Sequence, residues 1–374
     1  MSATATATAT GRPVITAWTA ISPFGIGSRA FADGLRDGRP TVAPLDQDTW
    51  QAATDSACLV PDFDVRAVLG KKGTRSMDRV TGLAVAAVSS LLDGAPCHRE
   101  VATGPRAALV LGTTTGSVQS QMDFTRDSFT NEKPYFVDPA RFPNAVMNCA
   151  AGQSAIWHQL KGPNTTIAGG RAAGLYALNY SRMLVAFGRA RTVLCGAVEE
   201  FSHARSWLER HAQAQAPEPA AEAVPMGEGC GLLLIERASG GRGGDQRVLA
   251  EVLATELAVA TGDEVRATLT RCLRRALTRS GVRQEEIWAV STSESFGTAG
   301  AAERTALAEV VGEAAPVRLS HAALIGDAGA ATATFQIAGV LAAAERDGDA
   351  AGRAAVITSV DRDGAVGCAV FRLR

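Results

Sequence analysis

The stretch TTIAGGRAAGLYAL, residues 165–178, decides how this chain is read. Thr165, Thr166 and Ile167 form the end of a β-rich run, Gly169 and Gly170 a tight turn, and the small apolar residues after them a helix. Such a corner presents free backbone N–H groups and the positive end of a helix dipole. It favours an anion, and a nucleophilic thiolate is often mounted there. The residue at its tip is Arg171, a cation.

The rest of the chain sets limits on the answer. With 374 residues, 46% of them hydrophobic, there is enough material for one large domain or two ordinary ones. A formal net charge of −1 gives no general support for a nucleic-acid or membrane-surface partner. No apolar run is long enough to span a bilayer, and the first residues, MSATATATATG, lack the core of a signal peptide; residues 1–12 read as a disordered lead. The seven cysteines are scattered without a CxxC pair, as buried thiols of a cytoplasmic protein are. The five histidines show no metal-ligand spacing, so neither a metal nor a cofactor is expected.

Periodicity along the chain alternates strands with helices. RPVITAWTAISPFG, RAALVLGTTTG, RTVLCGAVEE and GCGLLLIER read as strands; DRVTGLAVAAVSSLLDGA, with Asp78 as its cap, and AAGQSAIWHQLKG read as helices. AQAQAPEPAAEAVP (212–225) is a surface loop and residues 238–247 a linker between an N-terminal half, 13–237, and a C-terminal half, 248–374. The pattern repeats in the second half: a strand entering STSESFGTAG, a helix in AERTALAEVVG, a glycine turn running into an Ala-rich helix in LIGDAGAATATFQIAGVLAAA, then the strand AAVITSV. Two copies at this period predict a duplicated α/β unit, with a site where the loops at the strand ends of both halves converge.

The order and spacing of VITAWTAISPFGIG, RSMDRVTGLAVAA, ARFPNAVMNCAAGQSAIWHQLKGPNTTI, GEGCGLLLIE and GDAGAATAT resemble the ketosynthases of the thiolase superfamily over essentially the whole chain. The resemblance implies a thiolase-like five-layered αβαβα fold built from two duplicated halves, working as a dimer on acyl chains carried by an acyl carrier protein. Such an enzyme takes the acyl chain on a Cys thiolate and uses two imidazoles for decarboxylation and for stabilising the enolate and oxyanion. The family's Cys stands ten residues along from the Gly of a GP dipeptide, counting that Gly as one; from Gly162 the position is Arg171. The first His stands eleven residues before a Glu; counting back from Glu303 gives Thr292. The second stands three before the Gly of a GAAG-type turn; counting back from Gly326 gives Ala323, with His321 two residues away. SVDRDGAVG replaces the family's GFGG-type loop.

Loss of the catalytic residues with retention of the scaffold resembles the chain length factor, or ketosynthase β subunit, of bacterial type II polyketide synthases. That resemblance implies a catalytically silent chain that forms a heterodimer with a catalytic ketosynthase, receives substrate from an acyl carrier protein, and shapes the tunnel for a polyketide or polyene. Many such factors carry Gln where the Cys is lost, so Arg171 departs from the pattern. A buried Arg must be paired, and Glu294, Asp327 or loop carbonyls are the expected partners. Carrying over the family's chain-length gates gives Val118, Gln121 and Thr125, with Phe124 and Phe129 as the alternatives if the register slips.

The remaining candidates read more plainly. Cys195 and Cys149 lie in apolar runs, without a histidine nearby in sequence, and read as core thiols. His158 reads as packed or at the surface, His203 and His211 as surface residues. The arginines 266, 271, 274, 275, 279 and 283 recur along a helix, a solvated face by default and otherwise a dock for an acidic carrier. Two other functions stay open: an acyltransferase with another nucleophile (Ser291, Ser293 or Cys195), and a homodimeric degenerate ketosynthase acting as a scaffold.

Overall fold

The computed structural model describes residues 11–94, 99–100, 102–215, 224–238, 247–262, 264–295, 297–312 and 317–374. Most of the N-terminal lead, of the linker and of the 212–225 loop lies outside the described residues. Among those described, no helix is long and apolar enough to cross a membrane.

Among the described residues, ten principal strands, with the two-residue strand Gly25–Ile26 paired to the first, make one sheet: β1 (Pro13–Ser22), β2 (Ala107–Thr113), β3 (Asn164–Ala168), β4 (Thr192–Glu199), β5 (Gly229–Arg237), β6 (Ala250–Val259), β7 (Ile287–Ser291), β8 (Val317–Leu319), β9 (Ala354–Val360) and β10 (Ala365–Leu373). Outward from a central seam the N-terminal order is β1-β5-β4-β2-β3 and the C-terminal order β6-β10-β9-β7-β8. Strand n of the first half therefore matches strand n+5 of the second, with the same parallel and antiparallel pairings. The seam is short: Val14 faces Glu251 and Ile15 faces Ala250, antiparallel. β6 has no counterpart in the sequence reading. Its run AEVLATELAV mixes apolar and acidic residues, and it becomes a strand because β1 and β10 flank it.

The helices complete five layers. α2 (Arg79–Asp93) and α4 (Cys149–His158) cover the outer face of the first half, packing Leu83, Val88, Leu91 and Ala151 on Leu109, Leu111 and Leu232. α7 (Val265–Ser280) and α8 (Gly297–Val311) cover the second, packing Leu269, Leu273 and Leu307 on Val290, Val356 and Val370. Between the half-sheets lie α5 (Ala173–Ala186) and α10 (Thr332–Ala344), helices apolar nearly all round because sheets flank them. α1 (Ser28–Asp37) adds Phe31 to this central core. The expected αβαβα fold of two duplicated halves is thus observed. The remaining elements used below are α3 (Val118–Thr130), α6 (His203–Ala214) and the one-turn α9 (Ala322–Ile325). Asp78 caps α2 by accepting from the Thr81 N–H, as the sequence predicts.

Candidate functional site

The corner of residues 165–178 is built as read: β3 ends at Ala168, Gly170 takes φ 52°, a single 3₁₀ turn spans Gly170–Ala172, and α5 follows. Arg171 is tucked in, its side chain 11% exposed, and its guanidinium pairs with Asp327, whose side chain is 13% exposed. Its backbone N–H donates to Asp361 Oδ1 at 2.9 Å. These two carboxylates resolve the conflict between residue and position. Asp361, from the loop after β9, takes the anion's place at the helix start, and Asp327 neutralises the guanidinium. Burial opposes the charge on Arg171, but Asp327 and Asp361 outweigh it and hold its pKa above the usual value. Burial likewise opposes charge on Asp327, yet Arg171, Arg205 and the Gly329 N–H hold its carboxyl below the usual range.

Asp327 was one of the expected partners. Glu294, the other carboxylate considered, plays a different part. Its Oε2 accepts the backbone N–H of Ala322 at 2.5 Å and of His321 at 3.2 Å, closing the start of α9. It does so with φ 53°, a left-handed conformation that costs a non-glycine residue about 1–3 kcal/mol.

Thr292, Glu294, His321, Asp327 and Gln336 line one cavity whose free volume is about 10 Å³, room for roughly one water. Ala323 is exposed and does not line it. The structure thus brings Thr292, His321 and, through Asp327, Arg171 to one place and leaves Ala323 outside. His321 is ill-suited to acid–base work: its ring stacks on Phe31 (centroids 6.3 Å apart, planes at 11°), and neither ring nitrogen has a hydrogen-bond partner among the described residues. Burial pushes its pKa down to about 4, so it is neutral at physiological pH. A Cβ on Gly339 would stand 2.1 Å from its Nε2, so glycine at that helical position makes room for the ring.

The alternative nucleophiles are sealed. Ser291 donates to the Leu319 carbonyl at 3.2 Å. Ser293 donates to Glu303 Oε2 at 2.8 Å and accepts from the Val360 N–H at 3.1 Å. Glu303 is a carboxylate next to a hydroxyl, a pairing the sequence reading did not foresee, but it is fully buried and also accepts from the Ser293 N–H and Thr358 Oγ1. Ser293 lines the cavity described above, which has room for roughly one water. Burial pushes the Cys195 thiol up to about 12. Cys149 is raised by burial and by Asp78, and its Sγ donates to Asn144 Oδ1 at 3.3 Å. Neither is an activated thiolate. His158 is packed, bonded to Val85 O and Ser89 Oγ, while His203 and His211 are exposed. Along α7 and just beyond it, Arg266 pairs with Glu309, Arg275 and Arg279 with Glu256, and Arg283 with Glu285 and Glu286.

Val118 opens α3 and is 7% exposed. Gln121 is half-buried and donates to the Thr115 carbonyl at 2.6 Å; Thr125 is exposed in the single chain. Phe124 leans on Phe142 at 5.7 Å, whereas Phe129 is 83% exposed. Sequence reasoning passed over Glu199, Glu200, Arg205 and Asp361. The signal was available in TVLCGAVEE, since a buried strand ending in two acids requires partners for both. Arg205 bonds the carbonyls of Glu200 (2.9 Å), Gly227 (2.8 Å) and Asp327 (3.1 Å), and Glu199 Oε2 accepts from Thr114 Oγ1 and, at 3.1 Å, from the Ala330 N–H.

Known proteins match this architecture. Residues 12–240 match the family model described as beta-ketoacyl synthase, N-terminal domain. A Streptomyces halstedii protein assigned as a polyketide beta-ketoacyl synthase 2 is 30% identical over 358 residues, 90% of this chain and 86% of its own. A 3-oxoacyl-[acyl-carrier-protein] synthase 2 from Synechocystis is 27% identical over 74% of this chain and 71% of its own. A solved structure described as the ishigamide ketosynthase/chain length factor superposes with a TM-score of 0.89 at 46% identity, covering 97% of this chain and 99% of that one. The chain carries this family's fold with a cation at the corner where a thiol is expected, and it belongs to the beta-ketoacyl synthase family, within the thiolase-like ketosynthases.

Proposed function

We propose that this chain is a non-catalytic chain length factor. It pairs with a catalytic ketosynthase in the cytoplasm and shapes the tunnel into which a polyketide or polyene grows from an acyl carrier protein. The observation that carries this reading is the Arg171–Asp327 pair beside a cavity of one-water size. A guanidinium is always protonated and has no lone pair to attack a thioester. With Thr292 in place of one imidazole and His321 stacked against Phe31, the described residues lining this cavity offer no second imidazole for the acid–base chemistry of decarboxylation.

The heterodimer is supported by the surface around β3. This strand ends the sheet, and among the described residues its outer edge has no strand partner. Met122, Phe129, Tyr135, Phe136, Phe142, Val146, Met147 and Ile156, from the segments just before β3 in sequence, are all exposed. An open edge, together with exposed apolar side chains on the segments that precede it, is a liability for a lone chain and suits an obligate interface, expected to bury above about 2,000 Å². The solved structure of 46% identity, described as a ketosynthase/chain length factor, supports the same assignment.

Co-expression with the ketosynthase encoded beside it, followed by acyl-thioester labelling of each chain and of the pair, tests the proposal. The expected result is a stable pair that elongates, with all label on the partner. Label on this chain alone identifies an acyltransferase instead, and a homodimer indifferent to the ketosynthase identifies a scaffold.

A further inference from the structure

We infer that Glu200, together with Asp78, is the positioning residue for the first turn of α3 and so for Val118, a role that rests on the chain-length function proposed above. Glu200 follows β4 and is 2% exposed. Its Oε1 accepts from Ser117 Oγ at 3.0 Å and from the Gln119 N–H at 3.4 Å, the residues on either side of Val118. Its Oε2 accepts from the Val80 N–H of α2 at 3.2 Å. Asp78 completes the clamp: its Oδ1 caps α2 through the Thr81 N–H at 3.1 Å and its Oδ2 accepts from Ser120 Oγ at 2.9 Å. Ser117, Gln119 and Ser120 are thus all held by two carboxyls rooted outside α3, while Val118 contributes no polar group of its own. The orientation of its side chain is decided by the backbone these acids pin.

The clamp is charge-sensitive. Burial, and then the charge of Asp78, push the Glu200 carboxyl up to about 8, with Glu199 acting in the same direction. Arg79 feels the charge of Glu200 but its guanidinium is already held by Glu228, and Arg205 donates to the Glu200 backbone carbonyl at 2.9 Å. Below that pH Glu200 is protonated beside Asp78; above it a further negative charge stands there, and like charges push the end of β4 and the start of α2 apart, moving the two anchors that hold Ser117, Gln119 and Ser120. Since neither acid is assigned contact with the acyl chain, both act through Val118.

The test is the distribution of product lengths made by the assembled pair at pH 6.5 and at pH 9, for wild type, Glu200→Ala, Glu200→Gln and Val118→Phe. The expected outcome is that V118F shortens the products. E200A changes the ratio of the main product to its neighbour in length by about threefold or more at both pH values. Wild type drifts from its pH 6.5 distribution by pH 9, and E200Q, which keeps the shape and cannot ionise, does not. If V118F shortens the products while E200A and E200Q match wild type at both pH values, or if E200Q drifts as wild type does, the positioning role is wrong and the gate stands. If V118F leaves lengths unchanged, the gate assignment fails and this role with it. Should E200A not assemble with its partner, the isosteric E200Q alone decides.

Discussion

The two halves carry the same corner twice. In the first, Gly170 (φ 52°) opens a 3₁₀ turn before α5; in the second, Gly329 (φ 51°) opens one before α10. The next residue donates its backbone N–H to a carboxylate from the opposite half: Arg171 to Asp361 after β9, at 2.9 Å, and Ala330 to Glu199 at the end of β4, at 3.1 Å. β4 and β9 are themselves equivalent strands. Backbone, turn and anion are shared; the side chain is not, a methyl in one corner and a guanidinium in the other. A helix start binds an anion whichever residue stands there, because the N–H groups and the dipole belong to the backbone. What the residue does at that start is then free to change from chemistry to structure. A second carboxylate, Asp327, is what lets a cation remain there.

Arg171→Ala makes the two corners alike and is the change expected to cost most. It leaves Asp327 with Arg205 and the Gly329 N–H, and removes the guanidinium, so stability should fall by about 3 kcal/mol, the low end for breaking a buried pair. Denaturant unfolding of R171A, D327A and the double variant checks this; if the double variant costs the sum of the two singles, the pair is not coupled. The pH dependence has a definite sign. The folded Asp327 has a lowered pKa, so its contribution is present above the ordinary carboxylate range and disappears as pH falls through the folded value. In R171A that contribution shrinks, and the acid side of the stability profile should flatten. Arg171→Cys is expected to place a thiol at this corner without giving condensing activity in an acyl-thioester elongation assay.

The shared turn is tested next. A Cβ at Gly170 would stand 2.2 Å from Asp361 Oδ1 and one at Gly329 2.7 Å from Glu199 Oε2, each on a backbone of positive φ. Gly170→Ala and Gly329→Ala should each cost about 1–3 kcal/mol, the first more than the second, by thermal or denaturant melts. Equal and negligible costs would mean that the carboxylates are not held where the turns require them. The smallest effect belongs to a pair outside both corners. Arg275 is 73% exposed, and Arg279 also bonds Glu256, so Arg275→Ala should cost below about 1 kcal/mol, with no change in complex formation.

The corner was legible because each part of it is local: a β-rich run, two glycines, a small-residue helix start and one cation out of place. The cap at Asp78 was legible for the same reason. β6 was not, since AEVLATELAV carries acids in a buried strand and is stabilised by neighbours remote in sequence. Nor was the preference of Arg171 for Asp327 over Glu294. Both acids lie more than a hundred residues away in sequence, and only the packing of α9 assigns Glu294 to the backbone N–H groups of His321 and Ala322.

By itself the sequence determined the alternation of strands and helices, the duplication, and the presence of a cation where a thiolate was expected, because periodicity, turn residues and spacing are properties of neighbouring residues. Tertiary structure decided which carboxylates the cation and the helix start receive, that His321 lies buried in a stack with Phe31, and that Glu199 and Glu200 bind the loop and helix around Val118. These are contacts between groups brought together by two half-sheets closing over α5 and α10. In a buried site the free energy of a charge depends on which partners lie within a few ångströms, and that distance is set by the fold.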